Sequence, residues 1–76
     1  MTKLKMYRQN KKMTQKELAV LSGVPMRTIQ QYEGRLRNID GASLNTLCDL
    51  ARVLNVKFYD LIEDENLKIK ILNTIA

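Results

Sequence analysis

Apolar residues recur at helical spacing along most of the chain. In "LKMYRQNKK", Leu4 and Tyr7 stand three apart, which predicts a short amphipathic helix ending near Asn10 to Lys12. A second helix is expected to begin sharply at Thr14, because Thr14 and Glu17 form the T-x-x-E box in which each side chain satisfies a free amide of the first turn. It turns Leu18, Ala19 and Leu21 or Ser22 toward a core and stops at Gly23, which supplies the left-handed backbone of a tight exit. Pro25 opens a third helix, where its missing amide hydrogen is tolerated, and that helix runs to about Gly34. Ser43 is positioned to cap a fourth, with Leu44, Leu47, Leu50, Ala51 and Leu54 at helical spacing and Asn55 as a left-handed stop. "FYDLIED" reads as a short fifth helix anchored by Phe58, Leu61 and Ile62.

The tail, "NLKIKILNTIA", breaks this pattern. Leu67, Ile69, Ile71 and Ile75 share odd positions while Lys68, Lys70 and Thr74 fall on even ones, so period two fits better than helical spacing. A strand there would need a partner for its backbone groups, and the same strand of a second subunit supplies one. The alternatives are a short amphipathic helix with Leu67, Ile71 and Ile75 on one face, equally suited to dimerisation, and a tail folded back on its own core. The expected fold is all-α: a compact five-helix domain over residues 1–63, with a C-terminal extension, strand or helix, over residues 64–76 as a possible dimerisation segment.

Composition narrows the chemistry. Seventy-six residues make one small domain, and with Trp absent and aromatics at 5% the core must be aliphatic. One cysteine, Cys48, permits no intramolecular disulfide, and the absence of histidine removes the common zinc and iron ligand sets, so neither cofactor nor metal is expected. Cys48 is expected to be a packing residue, and Asp60, Glu63, Asp64 and Glu65 a solvated helix end. The chain holds no nucleophile with its base, metal set or phosphate-cradling glycine loop, which argues against an enzyme. It also holds no apolar run long enough for a signal peptide or a membrane span, and the expected location is the cytoplasm, associated with the nucleoid.

The net charge of +5 is unevenly spread. Residues 1–38 carry nine Lys or Arg against Glu17 and Glu33, a net of +7, whereas residues 39–76 carry a net of −2. A basic half joined to an acidic half points to one face that meets a polyanion.

The second and third predicted helices, joined by a tight turn containing glycine, make a helix-turn-helix unit. Counted from Gln15 as position one, Ala19 falls at five, Gly23 at nine, Ile29 at fifteen and Tyr32 at eighteen. Each residue suits its place: a small one where helices cross, a glycine in the turn, and bulky apolar groups that lock one helix onto the other. Pro25, Ile29, Tyr32 and Glu33 lie within roughly 100° of one another and form the expected buried side of helix three. Met26, Arg27, Thr28, Gln30 and Gln31 occupy the rest. Gln pairs with adenine, Arg with guanine, and Met can touch a thymine methyl, so this face has the chemistry to read major-groove base edges.

From Leu4 to Ile62 the chain resembles the lambda repressor and Cro (XRE) family of helix-turn-helix transcription regulators, through "TQKELA", "SGV", "RTIQQYE" and "SLNTLCDLARVLNV". The resemblance implies base contacts from Met26, Arg27, Gln30 and Gln31. It implies phosphate contacts from Gln15, Lys16, Thr28, Arg35, Arg37 and Asn38, with Gln15 also bracing the recognition helix. Arg8 and Glu33 match a partly buried, structural ion pair between helices one and three. Lys12 departs from the family's usual glycine or asparagine, Pro25 from a capping serine, Lys57 from a polar cap, and "GRLRNIDGAS" from the commoner loop with glycine two residues after the glutamate. The expected function is a sequence-specific regulator of double-stranded DNA, a repressor acting as a homodimer on a two-fold operator. The alternative is an antitoxin-type module that sequesters a toxin and binds DNA to regulate itself.

Overall fold

The computed structural model describes residues 1–75, and among them every regular element is helical. Five α-helices follow in order: α1 (Lys3–Asn10), α2 (Gln15–Ser22), α3 (Met26–Glu33), α4 (Leu44–Leu54) and α5 (Glu65–Ile75). Single 3-10 turns at Ile39–Gly41 and Phe58–Leu61 lead into α4 and α5. Ala76, the last residue of the extension, lies outside the described residues.

Local chemistry fixes most boundaries. The Thr2 hydroxyl accepts the Lys5 amide at 3.2 Å and starts α1. Thr14 and Glu17 close a reciprocal box on α2, at 3.0 Å to the Glu17 amide and 2.9 Å from the Thr14 amide. Those hydrogen bonds, from the Thr14 backbone first, hold the Glu17 carboxyl below the usual carboxylate range. Gly23 leaves α2 at φ 77°, and the Ser43 hydroxyl accepts the Thr46 amide at the start of α4.

Three helices end in a Schellman turn, in which two amides beyond the helix reach back to its last carbonyls. The residue held at positive φ in each is Lys12, Arg35 or Asn55 rather than glycine. After α1, the Lys12 and Met13 amides donate to the Gln9 and Arg8 carbonyls. After α3, the Arg35 and Leu36 amides donate to Tyr32 and Gln31, and after α4 the Asn55 and Val56 amides donate to Arg52 and Ala51. Lys12 and Arg35 therefore hold, at a backbone cost of about 1–2 kcal/mol each, a left-handed conformation that glycine would adopt without strain.

One aliphatic core runs through the helices, centred on Leu4, Leu18, Ile29, Leu50, Leu54 and Leu61. The structure corrects the sequence at its margins. On α4 the buried stripe is Leu47, Leu50, Ala51 and Leu54, leaving Leu44 60% exposed. Cys48 is exposed as well, because one step of about 100° beyond Leu47 carries it off the stripe. On α2, Ser22 is buried and Leu21 exposed. Pro25 is exposed, since it precedes α3 rather than belonging to its buried side.

The largest correction concerns the carboxyl end. "FYDLIED" forms only one 3-10 turn, and the tail is the fifth α-helix, not the strand that period two predicts. Asp64 decides this by accepting the Asn66 and Leu67 amides at 2.9 and 3.3 Å, which caps α5. Leu67 and Ile71 then pack against the core one above the other, four residues apart, while Ile75 stays 56% exposed. The acids before the tail are employed rather than merely solvated. Glu63 accepts the Lys3 amide at 2.7 Å and Asp60 the Lys57 amide at 3.0 Å, while Asp40 holds the Glu63 and Asp64 amides at 2.7 and 3.0 Å. Lys3 pairs with Glu65, which holds that carboxyl below its ordinary range and raises the Lys3 ammonium.

Candidate nucleic-acid interface

The candidate surface is built on α3, so its rigidity depends on what holds α3 from behind. Ile29 and Tyr32 are fully or nearly buried and anchor the apolar side. Beside them sits a polar clamp. The Glu33 carboxylate accepts two hydrogen bonds from Arg8, Nε at 2.8 Å and Nη2 at 2.9 Å, and a third from the Gln15 side-chain amide at 3.1 Å. Arg8 Nη1 donates onward to the Met13 carbonyl at 2.7 Å, so one guanidinium ties α1, the turn before α2 and α3 together. The Arg8 and Glu33 side chains are only 11% and 3% exposed, and among the described residues no buried side-chain polar atom lacks a partner. The Glu33 hydrogen bonds keep the guanidinium protonated above its already high range.

With that side fixed, the opposite side of α3 faces water. Met26, Arg27 and Gln30 are exposed, and Thr28 and Gln31 are half-buried at the edges. Arg27 lies about 170° round the helix from the middle of the buried side, the most outward position on it. Pro25, extended at φ −56°, offers no side-chain cap, so the first turn of α3 lacks the acceptor that a serine would provide.

The residues expected from the sequence to contact phosphates divide into those that share the α3 surface and those that do not. Gln15 faces α3 and spends one amide hydrogen on Glu33, leaving its second donor unused by that bond. Lys16 lies instead on the outer face of α2, in a shallow depression with Glu17, Val20 and Leu21. Beyond α3, the Arg37 guanidinium carbon stands 5.6 Å from the centre of the Tyr32 ring, a cation–π contact that carries the charge close to the end of the helix. Arg35 Nη1 lies 3.7 Å from a Glu63 carboxylate oxygen. The Asn38 side-chain oxygen accepts the Asp40 amide at 3.0 Å, so that atom is committed to the turn that follows.

Two features of this surface have no signal in the sequence. Glu63 meets Arg35 across 28 positions of chain, and Leu36, between two arginines, is 84% exposed instead of packing back on its helix. Among the described residues no group of His, Cys, Asp or Glu is arranged to hold a metal ion, and no helix is long and apolar enough to cross a membrane.

The model of a family described as helix-turn-helix matches residues 4–61. No curated protein and no solved structure matches the chain.

Proposed function

The chain belongs to the lambda repressor and Cro-like helix-turn-helix family of DNA-binding transcription regulators, and from that premise we propose that it is a cytoplasmic, sequence-specific repressor reading the major groove with α3. Met26, Arg27, Gln30 and Gln31 contact base edges, where Arg and Gln can each form two hydrogen bonds to one base. Gln15, Lys16, Thr28, Arg35, Arg37 and Asn38 contact phosphates and fix the register without reading sequence. The observation that carries this proposal is the pairing of an outward polar face on α3 with the Arg8, Glu33 and Gln15 clamp behind it, because readout needs side chains presented on a helix that does not rock. Two copies bind as a homodimer on a two-fold operator, with exposed Ile69 and Ile75 of α5 supplying an apolar contact. Selection of bound sites from random duplex DNA tests the proposal. One recurrent two-fold symmetric sequence is expected, and binding without enrichment of any sequence would overturn specific readout.

A second function is favoured by one observation. Val20 and Leu21 are 73% and 55% exposed on the outer face of α2, an apolar surface that DNA does not require. It suits an antitoxin-type module that holds a protein partner and binds DNA to regulate its own synthesis. Co-purification of a partner that Val20→Glu abolishes, with DNA binding intact, distinguishes this from a regulator acting alone.

A further inference from the structure

Two arginines of the protein are paired with carboxylates in opposite ways. Arg8 gives three hydrogen bonds and is almost wholly buried. The Arg35 side chain is 60% exposed, gives no hydrogen bond among the described residues, and meets Glu63 only as a charge at 3.7 Å. Its partner is the fixed member. Glu63 is 23% exposed, its Oε2 accepts the Lys3 backbone amide at 2.7 Å, and its own amide is held by Asp40 at 2.7 Å. Arg35 also holds φ 59° at a position that glycine would fill without strain, which sets its side chain over the cleft it shares with Arg37, Asp40 and Glu63 at the end of the recognition helix.

We propose that Glu63 is a built-in competitor for DNA phosphate: a fixed carboxylate that occupies Arg35 in the free protein and must give it up when the backbone of a duplex arrives. This rests on the proposed phosphate role of Arg35. Guanidinium recognises carboxylate and phosphate through the same donor geometry, so the two anions exclude one another at one side chain. The charge contact is loose enough to exchange, and the five guanidinium donors it leaves unsaturated are those a phosphate would fill. Phosphates are the same on every sequence, so the competitor sets the overall strength of binding and leaves base preference alone.

Glu63→Gln removes the charge and keeps an acceptor for the Lys3 amide. Binding to a random-sequence duplex and to the selected operator is measured by fluorescence anisotropy over a series of salt concentrations. The expected result for Glu63→Gln is tighter binding to both duplexes by the same factor, about 1.5- to 5-fold, the range of an exposed ion pair. The gain should vanish in an Arg35→Ala background, and it should shrink as rising salt screens the Arg35–Glu63 pair. Equal affinity of the parent and Glu63→Gln, with Arg35→Ala weakened, leaves Arg35 a phosphate contact and overturns the competition. A gain that persists without Arg35 also overturns it, since Glu63 would then act only through the general field. A parent that binds no duplex overturns the regulator proposal itself. Urea unfolding of Glu63→Gln guards the comparison: a large loss of stability identifies the pair as a structural clasp, and overturns the proposal, if Arg35→Ala loses as much.

Discussion

The residue with most resting on it is Arg8. Removing it by Arg8→Ala leaves the Glu33 carboxylate, 3% exposed, with only the Gln15 amide as donor, and stability should fall by about 3–5 kcal/mol in urea unfolding. Replacing both partners by apolar residues of similar size, Arg8→Met with Glu33→Leu, should cost much less, because no charge is then stranded. A loss below about 0.5 kcal/mol for Arg8→Ala would place the pair among surface contacts. Glu17 makes a different prediction, in pH. Its folded carboxyl titrates below the unfolded one, so its stabilising contribution is complete above the unfolded value of about 4.3 and is lost as pH falls through the folded value. Glu17→Gln keeps the box but not the charge. The stability gap between parent and variant should stay constant near neutrality and close under acid, and a gap independent of pH from neutrality down through that range would show that the charge contributes nothing. Glu17 is legible in the sequence because its role is set within a box of fixed spacing, whereas the Arg8 pair is reached only through the family resemblance. Cys48 and Pro25 depart from expectation, because Cys48 falls off the buried stripe of α4 and Pro25 stands before the first turn of α3.

Among the elements, the proposed function assigns base readout to α3 and phosphate contact to the loop after it, and substitutions should separate the two. Gln30→Ala and Arg27→Ala, both on the exposed face, should weaken the selected operator by about 1–3 kcal/mol and relax preference at one or two base positions. Arg37→Ala should weaken every sequence alike and flatten the salt dependence by about one counterion. Equal losses on operator and random DNA for Gln30→Ala would reduce that residue to positioning. The helix-turn-helix pair is readable because caps, the Gly23 turn and apolar spacing agree, whereas the tail is readable only as strand or helix, because the alternation of Ile and Lys competes with a local helix signal. Asp64 followed by Glu65 starts a helix, and Leu67 with Ile71 already has the four-residue spacing of one helical face. Lys12 and Arg35 show the opposite case. As departures from the family pattern they were visible, and the backbone explains them as side chains retained at positive φ where glycine would cost less.

For the whole molecule, the charge asymmetry and the position of α5 bear on assembly. The basic half carries α3 and the loop after it, while the acidic half ends in a helix with two faces. Leu67 and Ile71 belong to the core, whereas Ile69 and Ile75 are 54% and 56% exposed. Removing residues 66–76 would therefore strip the core and say little about assembly, so the test needs a substitution on the outer face alone. One exposed face of an eleven-residue helix is far smaller than the roughly 800 Å² per partner of a stable interface. Self-association through α5 should then be weak in free solution and strengthened when two copies sit on one operator, which holds them at high local concentration. Sedimentation of the parent should rise with protein concentration, and its binding to a two-fold operator should be cooperative. Ile69→Lys should sediment as a monomer at every concentration and bind each half-site independently, with circular dichroism and single half-site affinity unchanged. Cooperative binding that survives Ile69→Lys together with Ile75→Lys would remove α5 from the interface and leave the exposed Val20 and Leu21 face as the remaining apolar surface for a second copy.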